Sequence, residues 1–264
     1  MYLRHFGLKH AILGKDCPAL WDDGHLKQLR ERFEWLLDRP GIGLLTADSG
    51  VGKTVALRHL LHEVNPHRYQ VIYLAETDFG RLDIYRSLAI GLGLDPPHRR
   101  AQLWREIKAR ILDLADNKQI VPVWIIDEAQ NLPAEFFRDF PSFMNFAIDS
   151  RDLITVWLVG HTSLARMLER TPHAALFSRI QLHLHLRPVT ERERFMSLIH
   201  HAFQAAGAKH NLMSDSGMEL LRQACQGIPR LAGRILQMGL QLAAAKQLNH
   251  LPDELLSQAI EEMR

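Results

Sequence analysis

Cysteine is nearly absent from this chain, with only Cys17 and Cys225 among 264 residues. Neither has metal-site spacing, so both are expected to be free thiols, and a disulfide-stapled scaffold is excluded. Long apolar runs are missing as well. No stretch approaches the roughly 18 apolar residues of a membrane helix, so no membrane partner is expected. The opening MYLRHFGLKH lacks the apolar centre of a signal peptide, and a cytoplasmic location is the expectation. There is no low-complexity tract and no repeat of fixed period. Strong charge of one sign is absent too. A net charge of +2 makes no general case for nucleic acid. The fifteen histidines are scattered. His183 and His185 alternate along an apparent strand, which ordinary packing explains better than a metal does.

What is present begins with Ala47–Thr54, ADSGVGKT. The apolar run Ile42-Gly43-Leu44-Leu45 precedes it and a helix-like run, Val55–Glu63, follows. Strand, glycine loop and helix in that order form a phosphate cradle. The cradle is expected to comprise Ala47, Asp48, Ser49, Gly50, Val51, Gly52, Lys53, Thr54 and Val55. Gly50 and Gly52 let backbone N–H groups turn toward phosphate oxygens. Lys53 reaches the β- and γ-phosphates, Thr54 ligates Mg²⁺, and the helix directs its positive end at the anion. Ala47 stands where the motif's first glycine is usual. The ligands implied are ATP and Mg²⁺.

A second pattern agrees. Val121–Ile126, VPVWII, reads as a buried strand and runs into Asp127-Glu128. Two ionised carboxylates at the end of an apolar strand are costly unless paired or metal-bound. Beside a phosphate loop, Asp127 suits Mg²⁺ held through water, and Glu128 suits polarising a water against the γ-phosphate.

The wider pattern alternates helices and strands. Helices are expected at 23–37, through about 64, at 79–93, 99–116, 133–149 and 162–170. Strands are expected at about 42–46, 69–74, 121–126, 153–159 and 180–186. The last has Gln181, His183 and His185 on one side, as at an exposed face or sheet edge. After Pro188 only helices are read, at 190–206, 214–226, 229–247 and 252–262. The fold expected is α/β: a P-loop parallel sheet flanked by helices, then a small all-helical lid. The domains are taken as a lead-in at 1–40, a nucleotide-binding core at 41–188 and the lid at 189–264.

VWLVGHTSLARML (156–168), LFSRI (176–180) and GIPRLAGRIL (227–236) extend the pattern over nearly the whole chain. With the loop and the acidic pair, they resemble AAA+ ATPases of the ExeA, TnsC, TniB and MuB group. MYLRHFGL is similar to the start of ExeA-type proteins. The resemblance implies that Arg179 is an arginine finger serving ATP on a neighbouring subunit, with Arg170 and Arg166 as second choices. It implies a homo-oligomer, ring or filament, with ATP at subunit interfaces. Arg230 matches the lid's sensor-2 arginine, with Arg234 one turn later. For the polar residue at the end of the fourth strand the candidates are His161, then Thr162. A simple helix start at His161 explains the residue about as well. Glu76, Thr77 and Asp78 match a place that couples hydrolysis to substrate binding in related enzymes, although a helix N-cap by Thr77 or Asp78 accounts for them too.

The resemblance points first to a transposition helper that assembles on double-stranded DNA in an ATP-dependent, nonspecific way and recruits a transposase. Arg81, Arg99 and Arg100 are its candidate contacts to the DNA backbone. From charge alone, the cluster of His98, Arg99, Arg100, Arg105, Lys108 and Arg110 is a solvated helix face. The alternatives are an ExeA-like secretion-related ATPase and an AAA+ switch acting on a protein. ExeA proteins carry a membrane helix and a peptidoglycan-binding domain, which 1–264 does not contain, so transposition is preferred.

Overall fold

A computed structural model of the protein describes residues 2–14, 20–22, 24–78, 80–146 and 151–263. In chain order, α1 (Tyr2–Phe6) and α2 (His25–Asp38) precede β1 (Ile42–Ala47). Then come α3 (Lys53–His62), β2 (Tyr69–Leu74), α4 (Arg81–Gly91) and α5 (Arg100–Leu112). β3 (Val121–Ile126), α6 (Ala134–Phe143), β4 (Thr155–Gly160), α7 (Thr162–Leu168), α8 (Ala174–Phe177) and β5 (Ile180–Leu186) follow. The chain closes with α9 (Arg192–Ala205), α10 (Asp215–Cys225), α11 (Pro229–Ala245) and α12 (Asp253–Glu262).

The residues group into two compact units. One comprises 26–48 and 56–186. It is built on a parallel sheet in the order β2-β3-β4-β1-β5. β1 and β4 are buried at every residue, as central strands covered on both faces should be. β5 alternates in burial and lies at an edge, as its sequence pattern implies. One face of the sheet carries an aromatic core in which Tyr85 contacts Trp124, Phe136 and Phe143. On the other, α2 contributes Leu29, Phe33, Leu36 and Leu37, spaced for one helical face. Phe33 stacks on Trp157 with centroids 5.2 Å apart.

The second unit comprises 1–25, 49–55 and 187–264. Its core joins α9 to α12 with Tyr2, Phe6, Leu8 and Ile12. The expected lead-in segment is thus divided, its first residues packing among the helices and α2 on the sheet. Helix α1 escaped the sequence reading because a single turn shows no periodicity. Ser214 caps α10 by accepting from Gly217 N at 2.9 Å. Pro229 opens α11, where its missing N–H costs nothing. Among the described residues no helix is long and apolar enough to cross a membrane.

Helix and strand limits shift modestly from those expected. The segment read as one helix over 99–116 is α5 followed by a π-helical turn, Asp113–Asn117. The helix expected over 133–149 ends at Phe143, and 147–150 lie outside the described residues. Asp23 and Phe79, read as helix starts, and Cys17 also lie outside them.

Candidate functional site

Because all five strands are parallel, their C-terminal ends share one edge of the sheet, where open α/β folds bind ligands. Asp127 follows β3 there and is 5% exposed. Its Oδ1 accepts from Glu128 N at 2.9 Å, and its Oδ2 accepts from the Tyr73 hydroxyl at 2.6 Å. Two donors offset the cost of burying this carboxylate. Burial, the hydrogen bond to Asp127 and its negative charge all push the Tyr73 phenol upward, so it remains a donor at neutral pH.

Glu128 is exposed and has left-handed backbone, φ 49°. Its carbonyl accepts from Thr77 Oγ1 at 3.1 Å. Its carboxylate accepts from Gln130 Nε2 at 2.6 Å, and Gln130 Oε1 accepts from His161 N at 3.0 Å. Sequence reasoning missed both Tyr73 and Gln130. Gln130 lies three residues past Asp127 in DEAQ, a visible signal. Nothing in the strand pattern marks Tyr73.

His161 caps α7, its Nδ1 accepting from Ser163 N at 3.3 Å. Asp48 Oδ1 accepts from Thr162 Oγ1 at 2.7 Å and lies 3.6 Å from His161 Nε2. The strand-end pair His161 and Thr162 therefore converges on Asp48. Thr77, buried at 3%, is engaged with Glu128 rather than capping a helix. The residue that caps α4 is Gly80, which corrects the capping reading of Thr77 and Asp78.

Residues 49–55 of the phosphate loop belong to the other unit. Gly50 and Gly52 have φ of 87° and 119°, conformations that side chains disfavour. Arg230 N donates to Gly50 O at 3.2 Å, and Arg230 Nη1 donates to Ser49 Oγ at 3.3 Å. A Cβ on Gly50 would stand 3.0 Å from both Arg230 Cβ and Ile228 Cγ2. The start of α11 thus packs directly on the loop. Lys53 is buried, while Thr54 is exposed at the start of α3. Arg234 is exposed one turn beyond Arg230.

The remaining candidates are dispersed. Arg179 donates to the Pro141 carbonyl, and its charge opposes the upward push of burial on Asp152. Arg166 and Arg170 are exposed. Arg81 and Arg100 share Asp139, each at 2.8 Å, and Arg100 lies 4.4 Å above the Trp104 ring. One carboxylate thus answers two guanidinium groups, and Arg99 beside them is exposed. His183 and His185 both bond Thr46 Oγ1, at 3.0 and 3.1 Å. Among the described residues no His, Cys, Asp and Glu cluster could hold a metal by itself. Cys225 is a buried free thiol, pushed up by burial.

Comparison with known proteins agrees with this fold. The family described as AAA domain matches residues 36–168. General secretion pathway protein A of Aeromonas hydrophila is 26% identical over 252 residues. That match takes in 93% of this chain and 45% of the relative, so the chain spans less than half of its length. The fold is similar to the Aeropyrum pernix ORC2 protein in ADPNP–ADP complexes, with TM-score 0.67 and 18% identity over 95% of this chain and 70% of that one. It is also similar to the Aeropyrum pernix ORC1 protein in complex with DNA, with TM-score 0.68 and 16% identity over 96% of this chain and 68% of that one.

Proposed function

The chain belongs to the AAA domain family, and from that premise we propose that it binds and hydrolyses ATP with Mg²⁺ while assembled on duplex DNA. The observation that carries the reading is the acidic strand end. Asp127 is buried and doubly hydrogen-bonded, and the adjacent Glu128 is held with its carboxylate exposed. In this reading the backbone of 47–55 and Lys53 take the phosphates. Thr54 and, through water, Asp127 take Mg²⁺, and Glu128 accepts a proton from the attacking water. Arg230, already bonded to Ser49, is assigned the sensor-2 role, with 41–188 taken as the core and 189–264 as the lid. His161 orients the water beside Asp48. Arg179 leaves the Pro141 carbonyl to serve ATP on a neighbouring copy.

DNA is the proposed substrate of assembly. The DNA-bound ORC1 neighbour supports it, as does the exposed Arg99 beside Arg81 and Arg100. A transposase is the proposed recruit, and the cytoplasm the proposed location. The relation to a general secretion pathway protein favours a second reading, an ATPase acting on a protein partner. Duplex-DNA binding by the purified protein, with ATP, ADP or no nucleotide at two salt concentrations, separates them. The DNA reading expects binding that needs ATP and weakens with salt. No binding in any condition removes that reading and favours the protein partner.

A further inference from the structure

We propose that Gln130 is a positioning residue for Glu128, tying the water-activating carboxylate to the junction of β4 and α7. The inference rests on the reading of Glu128 as the general base. An exposed glutamate has several rotamers, and a base must be held in one to act efficiently. Gln130 supplies the restraint through its 2.6 Å bond to Glu128 Oε2.

The amide orientation follows from its other end. Gln130 Oε1 accepts from the backbone N–H of His161 at 3.0 Å. A backbone N–H can only donate, so that end of the amide must be the oxygen. The NH₂ is therefore directed at Glu128. A flipped amide would face carbonyl to carboxylate and NH₂ to N–H, two repulsive contacts in place of two bonds.

Gly160 makes room for this arrangement. Its φ lies outside the left-handed region, so backbone conformation does not demand glycine. A Cβ there would collide first with Gln130 Oε1, and would also crowd Leu164 Cδ2 at 3.0 Å. The missing side chain serves the approach of the amide. Thr77, just beyond β2, fixes the Glu128 backbone, and Gln130, just beyond β3 and anchored to His161 at the end of β4, fixes its side chain. Since His161 also caps α7 beside Asp48, a shift of that helix start would move the amide and with it the base.

The test compares ATP hydrolysis and ATP binding in wild type, Gln130→Ala, Gly160→Ala, their double variant, Gln130→Glu and Glu128→Gln. In Gln130→Ala, kcat should fall by about tenfold to hundredfold while the Kd for ATP stays within about twofold. Gly160→Ala displaces the amide without removing it and should match that loss, with the double variant no worse. In Gln130→Glu the introduced carboxyl faces Glu128 and the backbone N–H of His161; Asp127 adjoins Glu128 in sequence, and Asp48 lies 3.6 Å from His161 Nε2. Ionised, it repels Glu128; protonated, it can donate as the amide does. Its activity relative to wild type should therefore rise as pH falls from about 8 to about 6. A merely structural role predicts no such rise. Wild-type kcat in Gln130→Ala beside an inactive Glu128→Gln overturns this inference alone. Wild-type kcat in Glu128→Gln overturns the assignment of the base. Loss of ATP binding in Gln130→Ala, or a flat relative pH profile for Gln130→Glu, makes the residue structural and also overturns the proposal.

Discussion

The loop Ser49–Val55 and the strand end Asp127–Gln130 are built from different materials. In the loop, two glycines at positive φ shape the backbone, and the start of α11 packs on it through Arg230 and Ile228. At the strand end, side chains answer one another: Tyr73 to Asp127, Gln130 to Glu128, Thr77 to the Glu128 carbonyl. Backbone-built sites fail when a residue type is wrong. Side-chain networks fail by degrees, because one lost bond leaves the others in place.

That contrast orders the expected effects of substitution. Lys53→Ala should act most strongly, weakening ATP affinity by at least about hundredfold, roughly 3 kcal/mol, as measured by titration with a fluorescent ATP analogue. Retained affinity would show that backbone N–H groups alone hold the phosphates. Gly50→Ala comes next. It forces a side chain onto φ 87° and against Arg230, and should cost about 1–3 kcal/mol of stability or loop geometry, read by thermal melting with and without ATP. An unchanged melt and affinity would mean the loop relaxes freely.

Tyr73→Phe probes the network side and should be milder. It removes one hydrogen bond to a charged, buried carboxylate, worth about 1.5–3 kcal/mol. Denaturant unfolding should show that loss, while ATP affinity stays within about threefold. A drop as large as that of Lys53→Ala would erase the distinction between the two constructions.

The smallest effect lies away from both. Glu219 is held down to about 2, first by its bonds from Arg222 and then by Gln223. A carboxylate held below its unfolded value stabilises the fold above that value and loses the contribution as pH falls through the folded one. Wild type should thus lose melting temperature between about pH 4.5 and 2 more steeply than Glu219→Gln. Equal slopes would show that this half-buried pair contributes nothing measurable.

The same contrast explains what the sequence displayed. ADSGVGKT and Asp127-Glu128 are legible because motif chemistry fixes residue types at fixed spacing. The central strands β1, β3 and β4 are legible because buried parallel strands read as near-continuous apolar runs, VPVWII above all, and β5 because its burial alternates as at an edge. Tyr73 was not, and Gln130 was visible in DEAQ but its role was not, because both roles depend on register and on contacts across strands. Nothing local says that β2 lies beside β3, which is what brings Tyr73 to Asp127. Arg81 and Arg100 looked like independent cations; only the fold shows them sharing Asp139.

The most direct measurement is ATP binding and turnover by Glu128→Gln beside wild type, at equal Mg²⁺ and with duplex DNA present. The account predicts ATP affinity within about twofold of wild type and turnover reduced by about 10²- to 10⁴-fold, with the protein retained on DNA. Turnover at the wild-type rate would contradict it.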